Sequence, residues 1–437
     1  MSDSKQPTKQ SRVAIVCDWL TGTGGAERVV LELHRLFPEA PIYTSQYNKN
    51  PEIWFGEEWF AGADVRTGWL QKLPKSLRKF LPVLRAWYFS RLDLSDYDLV
   101  ISSSGAEAKF VRTRKRNAKP VVAQDASENR KGGVQEGTST ADHSLQHGDT
   151  TGRSGGVGGS ADKQAGAIHI SYCHSPTHYY WARYEEYLAN PGFGRLDPLA
   201  RLGLKLLVGP MRRLDRRAAG RPDYFIANSR HTAREIKKYY GRQATVIHPP
   251  IDVERFSPHN QPADKRHGFI TAGRQTPYKR LGLAVEAAVK TGVPLVVVGR
   301  GPEHRRLKRL AGRNVTFMTK VNDSRLAELL GGAKAFIFPG VDDFGIVAVE
   351  ALAAGTPVIA FKGGGALDYV NHTCGLFFDQ PTPASLQAAL KNFENRRYDH
   401  QAVQAQTTKY SAKAFRTNFK KFIKSIHQSN HGADQKA

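Results

Sequence analysis

The sequence predicts an α/β protein made of two doubly wound, parallel-sheet domains. Three observations lead there. Short, nearly continuous apolar runs recur along the chain. Each is followed by a stretch whose apolar residues fall at helical spacing. The whole series occurs twice, on either side of the paired prolines Pro249 and Pro250. Strands that are apolar on both faces need helices covering both sides of the sheet, which is the parallel, doubly wound arrangement.

The first strand run is RVAIVC at 12–17, ending at Asp18. A glycine-rich turn leads into 26–37, where Val29, Val30, Leu33, Leu36 and Phe37 share one helical face. Further strands are PIYT from 41, DLVISSS from 98, AIHISYCH from 167 and DYFIANS from 223, with helices at 177–188 and 229–240. The second series runs GFITAG from 268, PLVVVG from 294, NVTFM from 314, AFIFPG from 335 and TPVIAF from 356. Its helices are predicted at 281–290, 303–310, 324–330 and 345–354. The segment VIHPPIDV at 246–253 is the expected join, because paired prolines stop regular structure and stiffen a connection. The domain plan is a disordered tail at 1–11, an N-terminal domain at 12–247 and a C-terminal domain at 248–408. A helix at 409–427 packs back on the first domain, and 428–437 form a disordered tail. Residues 125–166, rich in Gly, Ser, Thr, Asp and Gln, cannot offset ordering entropy by burial and are predicted to be a disordered insertion.

Composition narrows the partners. The 437 residues include 64 Lys and Arg against 40 Asp and Glu, a net charge of +24. Such a surface attracts phosphates, which by itself leaves nucleic acid, anionic lipid and nucleotide all open. No motif interleaves bases with stacking aromatics, so no nucleic-acid partner is expected. Three scattered cysteines, Cys17, Cys173 and Cys374, exclude a disulfide framework and a cysteine-based zinc site. No run approaches the ~18 apolar residues of a membrane span. The polar N-terminus MSDSKQPTKQSR lacks a signal-peptide core, so a cytoplasmic protein is expected, soluble or peripheral on the inner membrane face.

Four segments carry candidate chemistry. GTGGAE at 22–27 puts glycines where a helix N-terminus can approach a ligand, though the same glycines suit a tight strand–helix turn. VDDFGIVAVEA at 341–351 leaves a strand and enters a helix, so the backbone N–H groups of Phe344, Gly345, Ile346 and Val347 would face the crevice at the strand ends. Asp342 and Glu350 flank that turn; they are either ligands for sugar and ribose hydroxyls or a capping acid and a helix-face acid. GRQTPYKR at 273–280 offers Arg274 and Lys279 as a grip on a diphosphate or as two solvated bases. His174, at the end of a strand, is either a cleft residue or structural, and nothing at metal-ligand spacing accompanies it. Asp96 and Asp98 match a metal-binding DxD only formally, since Asp98 starts an apolar strand. The stretch 72–91 is basic and amphipathic, fit for an anionic membrane or for an ordinary helix with a solvated face, split by Pro82. Arg212, Arg213, Arg216 and Arg217 form a second basic cluster with the same two readings.

Taken together, GTGGAERV, HISYCHSPTHYYW, DYFIANSRHTAREIKKYYG, VIHPPIDVERF, GRQTPYKR and DDFGIVAVEALAAGTPVIAFKGGG resemble the retaining GT-B glycosyltransferases of family 4, also called group 1. The HSPTHYYW and PYKR forms are similar to bacterial O-antigen and exopolysaccharide mannosyltransferases. The resemblance implies two Rossmann-like domains facing across a cleft that holds a nucleotide-sugar donor. It implies that Gly24 and Gly25 lie near the donor phosphate and that Arg274 and Lys279 bind the diphosphate. The backbone at 344–347 would meet phosphate or sugar, Glu350 the ribose, and His174 the transferred sugar. His174, Arg274, Lys279 and Asp342 become the catalytic candidates, with no metal and no cofactor. The family's first acid is usually Glu; Asp342 keeps the charge on an arm one methylene shorter. The expected function is retaining transfer of a hexose, with GDP-mannose the favoured donor, to a saccharide or lipid-linked acceptor in cell-surface polysaccharide synthesis. A GT-B sugar-nucleotide epimerase and an inactive GT-B binding protein are the alternatives.

Overall fold

The computed structural model describes residues 11–50, 54, 59–73, 82–114, 166–191 and 194–434. The inserted segment predicted at 125–166 lies outside these except for Gly166, as do most of the N-terminal tail and residues 74–81 of the basic stretch.

Two parallel sheets form the body. The first contains β1 (Val13–Cys17), β2 (Ile42–Thr44), β3 (Val65–Thr67), β4 (Leu99–Ser104), β5 (Ile168–Cys173), β6 (Tyr224–Ala227) and β7 (Thr245–Val246), in the order β3-β2-β1-β4-β5-β6-β7. The second contains β8 (Phe269–Ala272), β9 (Leu295–Val298), β10 (Val315–Met318), β11 (Ala335–Phe338), β12 (Val358–Phe361) and β13 (Gly375–Phe378), in the order β10-β9-β8-β11-β12-β13. Every strand pair is parallel. Each order reverses direction once, between β1 and β4 and between β8 and β11. Loops leaving the carboxyl ends of strands at such a point splay apart and open a crevice.

The N-terminal lobe carries α1 (Gly25–Leu36), α2 (Pro82–Arg91), α3 (Tyr184–Ala189), α4 (Asp197–Ala219) and α5 (Arg230–Tyr240). The C-terminal lobe carries α6 (Val253–Phe256), α7 (Leu281–Thr291), α8 (His304–Leu310), α9 (Asp323–Gly331), α10 (Ile346–Ala353), α11 (Pro383–Glu394) and α12 (His400–Ala405). Helix ends follow local chemistry. Ser229 caps α5 by accepting from Thr232 N, and Gly241 closes it in the left-handed region at φ 68°.

The last helix, α13 (Ala412–Asp434), returns to the N-terminal lobe. Phe415, Phe419 and Ile426 join the core formed by Ile15, Val29, Leu33, Ile42 and Ile101, and Arg416 pairs with Glu32 of α1. The chain thus crosses between lobes at 247–251 and again near 411, where Ile251 bridges Ser411.

Three expectations need correction. The helix expected at 177–188 is a series of turns through 183, with α3 only from Tyr184 to Ala189. Its residues are drawn into tertiary contacts: Thr177 bonds Asp215, His178 bonds Asp343 and Tyr179 bonds Glu107. The final helix continues past 427 to Asp434, with no proline to stop it. Arg85, counted among the bases of the 72–91 face, is buried in an ion pair with Glu107 at 2.8 Å and stacks over Trp19.

Candidate functional site

A cavity of about 340 Å³ opens between the lobes, with both lobes in its walls. From the C-terminal lobe, β8 leads into the 273–280 loop and β11 into the 339–345 turn, the two sides of the switch point. This topology brings Lys279 and Asp342 together from positions 63 residues apart, in a direct ion pair between Nζ and Oδ2. Burial pulls the Lys279 pKa down, but the Asp342 charge beside it prevails and the ammonium is held above its ordinary value. The other Asp342 oxygen, Oδ1, is buried and has no protein partner. Asp342 lines the cavity, and a buried carboxylate oxygen left without a donor keeps an unmet demand for a hydrogen bond.

The turn above this pair is tightly built. Gly345 adopts φ 91°, and a Cβ there would lie 2.6 Å from both the Phe338 ring and the Tyr369 hydroxyl. Only glycine fits. The turn delivers Ile346 and Val347 to the first turn of α10, whose N–H groups have no partner within the helix. Phe344, Gly345, Ile346 and Val347 all line the cavity. The Phe344 ring is itself buried against His248, Tyr369 and Tyr410, so its main chain is fixed.

The N-terminal lobe supplies the opposite wall. Gly25, which opens α1, touches across the gap: a Cβ on it would lie 2.1 Å from Ile346 Cδ1. Gly24 is the extended N-cap of α1 and lies just outside the lining. His174, following β5, lines the cavity with Nε2 2.8 Å from Ser103 Oγ, and burial lowers its pKa to about 4. It is therefore neutral at ordinary pH. Asp18, after β1, stiffens the neighbouring β4 loop by accepting from the N–H groups of Gly105, Ala106 and Ala108 at 2.7–3.0 Å.

Two expected residues sit apart from this group. Arg274 is exposed and outside the lining, although its loop is pinned by Gln275 N to Arg300 O and Gln275 Nε2 to Gly299 O. Glu350 is buried on α10 and bound by Arg28 of α1 at 3.1 Å; Arg28 also holds Asp323 at 3.1 Å. Burial raises the Glu350 pKa while Arg28 works against it. Arg28 lines a second cleft of about 570 Å³ between α1, α6 and the start of α13. Asp98 accepts from Arg12 N just before β4, so it is used structurally.

Several lining residues had not been singled out. Asp343 receives His178 Nε2 at 3.0 Å. Burial would raise its pKa, but His178, Arg183 and His231 bring it down to about 2. Arg183 spans to the Val341 carbonyl at 3.2 Å and stacks on Tyr278 at 3.7 Å. Asn228, at the end of β6, donates to the His174 carbonyl and leaves Oδ1 unpartnered. Asn228 was readable from the strand-end rule that selected His174, and Tyr278 lies in the loop that carries Lys279. His178 and Asp343 lie within segments already singled out, HISYCHSPTHYYW and VDDFGIVAVEA. Among the described residues one grouping, His231, Glu235 and Asp343, brings potential cation ligands within 4.8 Å of one another.

These contacts hold the lobes together. Besides His178–Asp343 and Arg183–Val341, Arg230 N and Nε bond Asp368 at 2.8 and 3.1 Å, and His248 bonds the same carboxylate at 3.0 Å.

Known proteins match this arrangement. The family model for glycosyl transferases group 1 matches residues 252–413, and that for glycosyltransferase family 4 matches 151–255. The human alpha-1,3/1,6-mannosyltransferase ALG2 is 26% identical over 224 residues, covering 43% of this chain and 54% of that protein. The GDP-mannose-dependent monoacylated alpha-(1-6)-phosphatidylinositol monomannoside mannosyltransferase of Corynebacterium glutamicum is 30% identical over 40% of this chain and 53% of its own. The D-inositol 3-phosphate glycosyltransferase of Geodermatophilus obscurus is 30% identical, over 40% and 46%. The chain spans about half the length of these relatives. Among solved structures, sucrose-phosphate synthase from Thermosynechococcus elongatus aligns at TM-score 0.60 and 15% identity over 96% of this chain and 100% of that one. Anabaena Alr3699/HepE, solved with UDP-glucose, aligns at 0.59 and 15% over 95% and 100%. At that identity the structures speak for the fold alone, two Rossmann-like lobes across a cleft. Joined to the family matches over 151–413, they identify the chain as a member of the group 1, family 4 glycosyltransferases of GT-B fold.

Proposed function

We propose that the chain is a retaining, metal-independent hexosyltransferase that moves mannose from GDP-mannose to a saccharide or lipid-linked saccharide in cell-surface polysaccharide synthesis. The observation that carries the reading is the Lys279–Asp342 pair, with its unused Asp342 Oδ1, under the first turn of α10 in the cavity between the lobes. The mannosyl donor is supported by two relatives whose names specify mannose transfer.

The reaction displaces a nucleoside diphosphate from the anomeric carbon. Its barrier lies in negative charge gathering on the leaving diphosphate. Lys279 keeps ammonium protons beyond the one given to Asp342, and with the N–H groups of Ile346 and Val347 it meets that charge. Arg274 reaches the outer phosphate from its exposed position. These fixed groups stand in for a divalent ion. Asp342 Oδ1 accepts from a donor-sugar hydroxyl. His174, neutral, orients the transferred sugar. Glu350 serves the ribose by sharing or exchanging its Arg28 contact. Among the described residues no side chain stands out as a nucleophile, so the acceptor attacks from the face the diphosphate leaves, and the departing phosphate takes its proton. Closing of the lobes over the donor would exclude water and favour transfer over hydrolysis.

The test is a panel of GDP- and UDP-sugars scored by thermal shift. GDP-mannose is expected to give the largest rise in Tm, and incubation with donor alone should yield no epimerised sugar. A larger shift with a UDP-sugar would move the donor assignment. No shift with any member would remove the transferase reading.

A further inference from the structure

The helix α4 does not behave like a lobe helix. Its buried residues are Met211, Asp215, Ala218 and Ala219, all within 211–219 at its C-terminal end. Residues 197–210 contribute none, so about 21 Å of helix stands off the core. That segment is rich in leucine. Leu199, Leu202 and Leu206 follow one another at helical spacing and are 67%, 54% and 67% exposed, flanked by Leu196 at 57% and Leu207 at 53%. Single exposed leucines are ordinary, but a continuous stripe of them marks a surface that another body covers.

The charges say which body. Arg213 and Arg217 extend the leucine face at seven- and four-residue steps, and both are exposed, as is Lys205. Arg201, Arg212 and Arg216 each give N–H groups to main-chain carbonyls of the lobe but keep their charge beside the stripe. The helix's acids are Asp197 and the buried Asp215. A second copy of a +24 chain would bring like charges into apposition, whereas an anionic lipid surface answers both the leucines and the bases. The neighbouring α2 adds exposed Val83, Leu84 and Trp87, with Trp69 packed on Trp87 at 5.9 Å; α2 and α4 both pack on the turn at 108–110.

We infer that the projecting leucine face of α4 is a docking surface for an anionic lipid bilayer. Arg201 binds the Leu188 and Ala189 carbonyls at the end of α3, and Tyr187 of α3 lines the inter-lobe cavity. Docking therefore sets the cavity mouth beside the membrane, where a lipid-linked acceptor would arrive. The purpose of the surface rests on that acceptor reading; the binding itself does not, and is measured without acceptor.

The experiment is sedimentation of the full chain with vesicles of equal parts phosphatidylglycerol and phosphatidylcholine, and with phosphatidylcholine alone. The native chain should bind the anionic vesicles, less as salt rises. The variant carrying Leu199→Gln, Leu202→Gln and Leu206→Gln should bind at least about tenfold more weakly, with its melting and its GDP-mannose-induced shift unchanged. Equal binding by the variant, or a native chain left in the supernatant, overturns the inference. So does leucine-dependent self-association in light scattering, which would make a second copy the occupant. Loss of donor binding with vesicle binding intact would count against the transferase reading and leave this one standing.

Discussion

The two walls of the inter-lobe cavity are built by opposite means. On the C-terminal side, α10 is buried from Ala348 to Ala353, Gly345 admits no side chain, and the Lys279–Asp342 pair is formed in place. On the N-terminal side, beside Gly25 and His174, a run of turns from 178 to 183 and the mostly exposed α3 meet the cavity through long side chains such as Arg183 and Tyr187. A rigid wall suits a step in which charge must be met without reorganisation. A wall of turns and one short exposed helix suits a partner that varies in shape and arrives from outside.

If the contrast is right, damage to the rigid wall costs most. Lys279→Ala should lower kcat/KM by about 10²–10³, an oxyanion-type loss, read from initial rates of sugar transfer. Gly345→Ala is next: a β-carbon at φ 91° against Phe338 and Tyr369 should cost on the order of 2–3 kcal/mol of stability, seen as a lowered Tm of the C-terminal lobe. A Gly345→Ala chain that melts like the native one would mean that the turn is softer than described.

Lobe-bridging contacts should matter less, and with a definite pH signature. Asp343 has its pKa lowered to about 2, so its bond to His178 contributes stability above the ordinary carboxylate range that is lost as pH falls through that value. His178→Ala should therefore cost on the order of 1 kcal/mol in mildly acid solution, where Asp343 is ionised, and little below pH ~2; melting curves across that range check it. Arg274→Ala should have the smallest effect, about tenfold or less on kcat/KM, because its side chain is exposed. An Arg274 effect equal to that of Lys279 would show that the exposed loop closes over the donor and would blur the contrast.

The same contrast decides what could be read from residues alone. The C-terminal wall comes from contiguous motifs at strand ends, and those motifs fall where the sheet order reverses. Strand runs such as FITA, LVVV, AFIF and VIAF appear as strands because burial on both faces erases alternation. The N-terminal wall was less readable. Residues 177–183 follow a helical pattern, but Thr177, His178 and Tyr179 spend their side chains on distant partners, and His178 meets Asp343 across 165 positions. No local pattern carries such a pairing. Helix α4 was noted only for its arginines, since a leucine stripe pointing away from the core defeats the rule that apolar faces point inward. Neither β3 nor β13 was singled out, and β3, with two of its three residues exposed at the sheet edge, lacks the apolar run that marks the central strands. The Arg28–Glu350 pair shows the same limit: both residues sit in segments the sequence points to, but their contact depends on how the lobes close.

The most direct test of the account is transfer of labelled mannose from GDP-mannose, measured in EDTA for the native chain and for Lys279→Ala. Undiminished native activity in chelator, together with a loss of about a hundredfold or more in the variant, is the predicted result. Activity that disappears in EDTA and returns with manganese, or a Lys279→Ala chain that turns over like the native one, would contradict it.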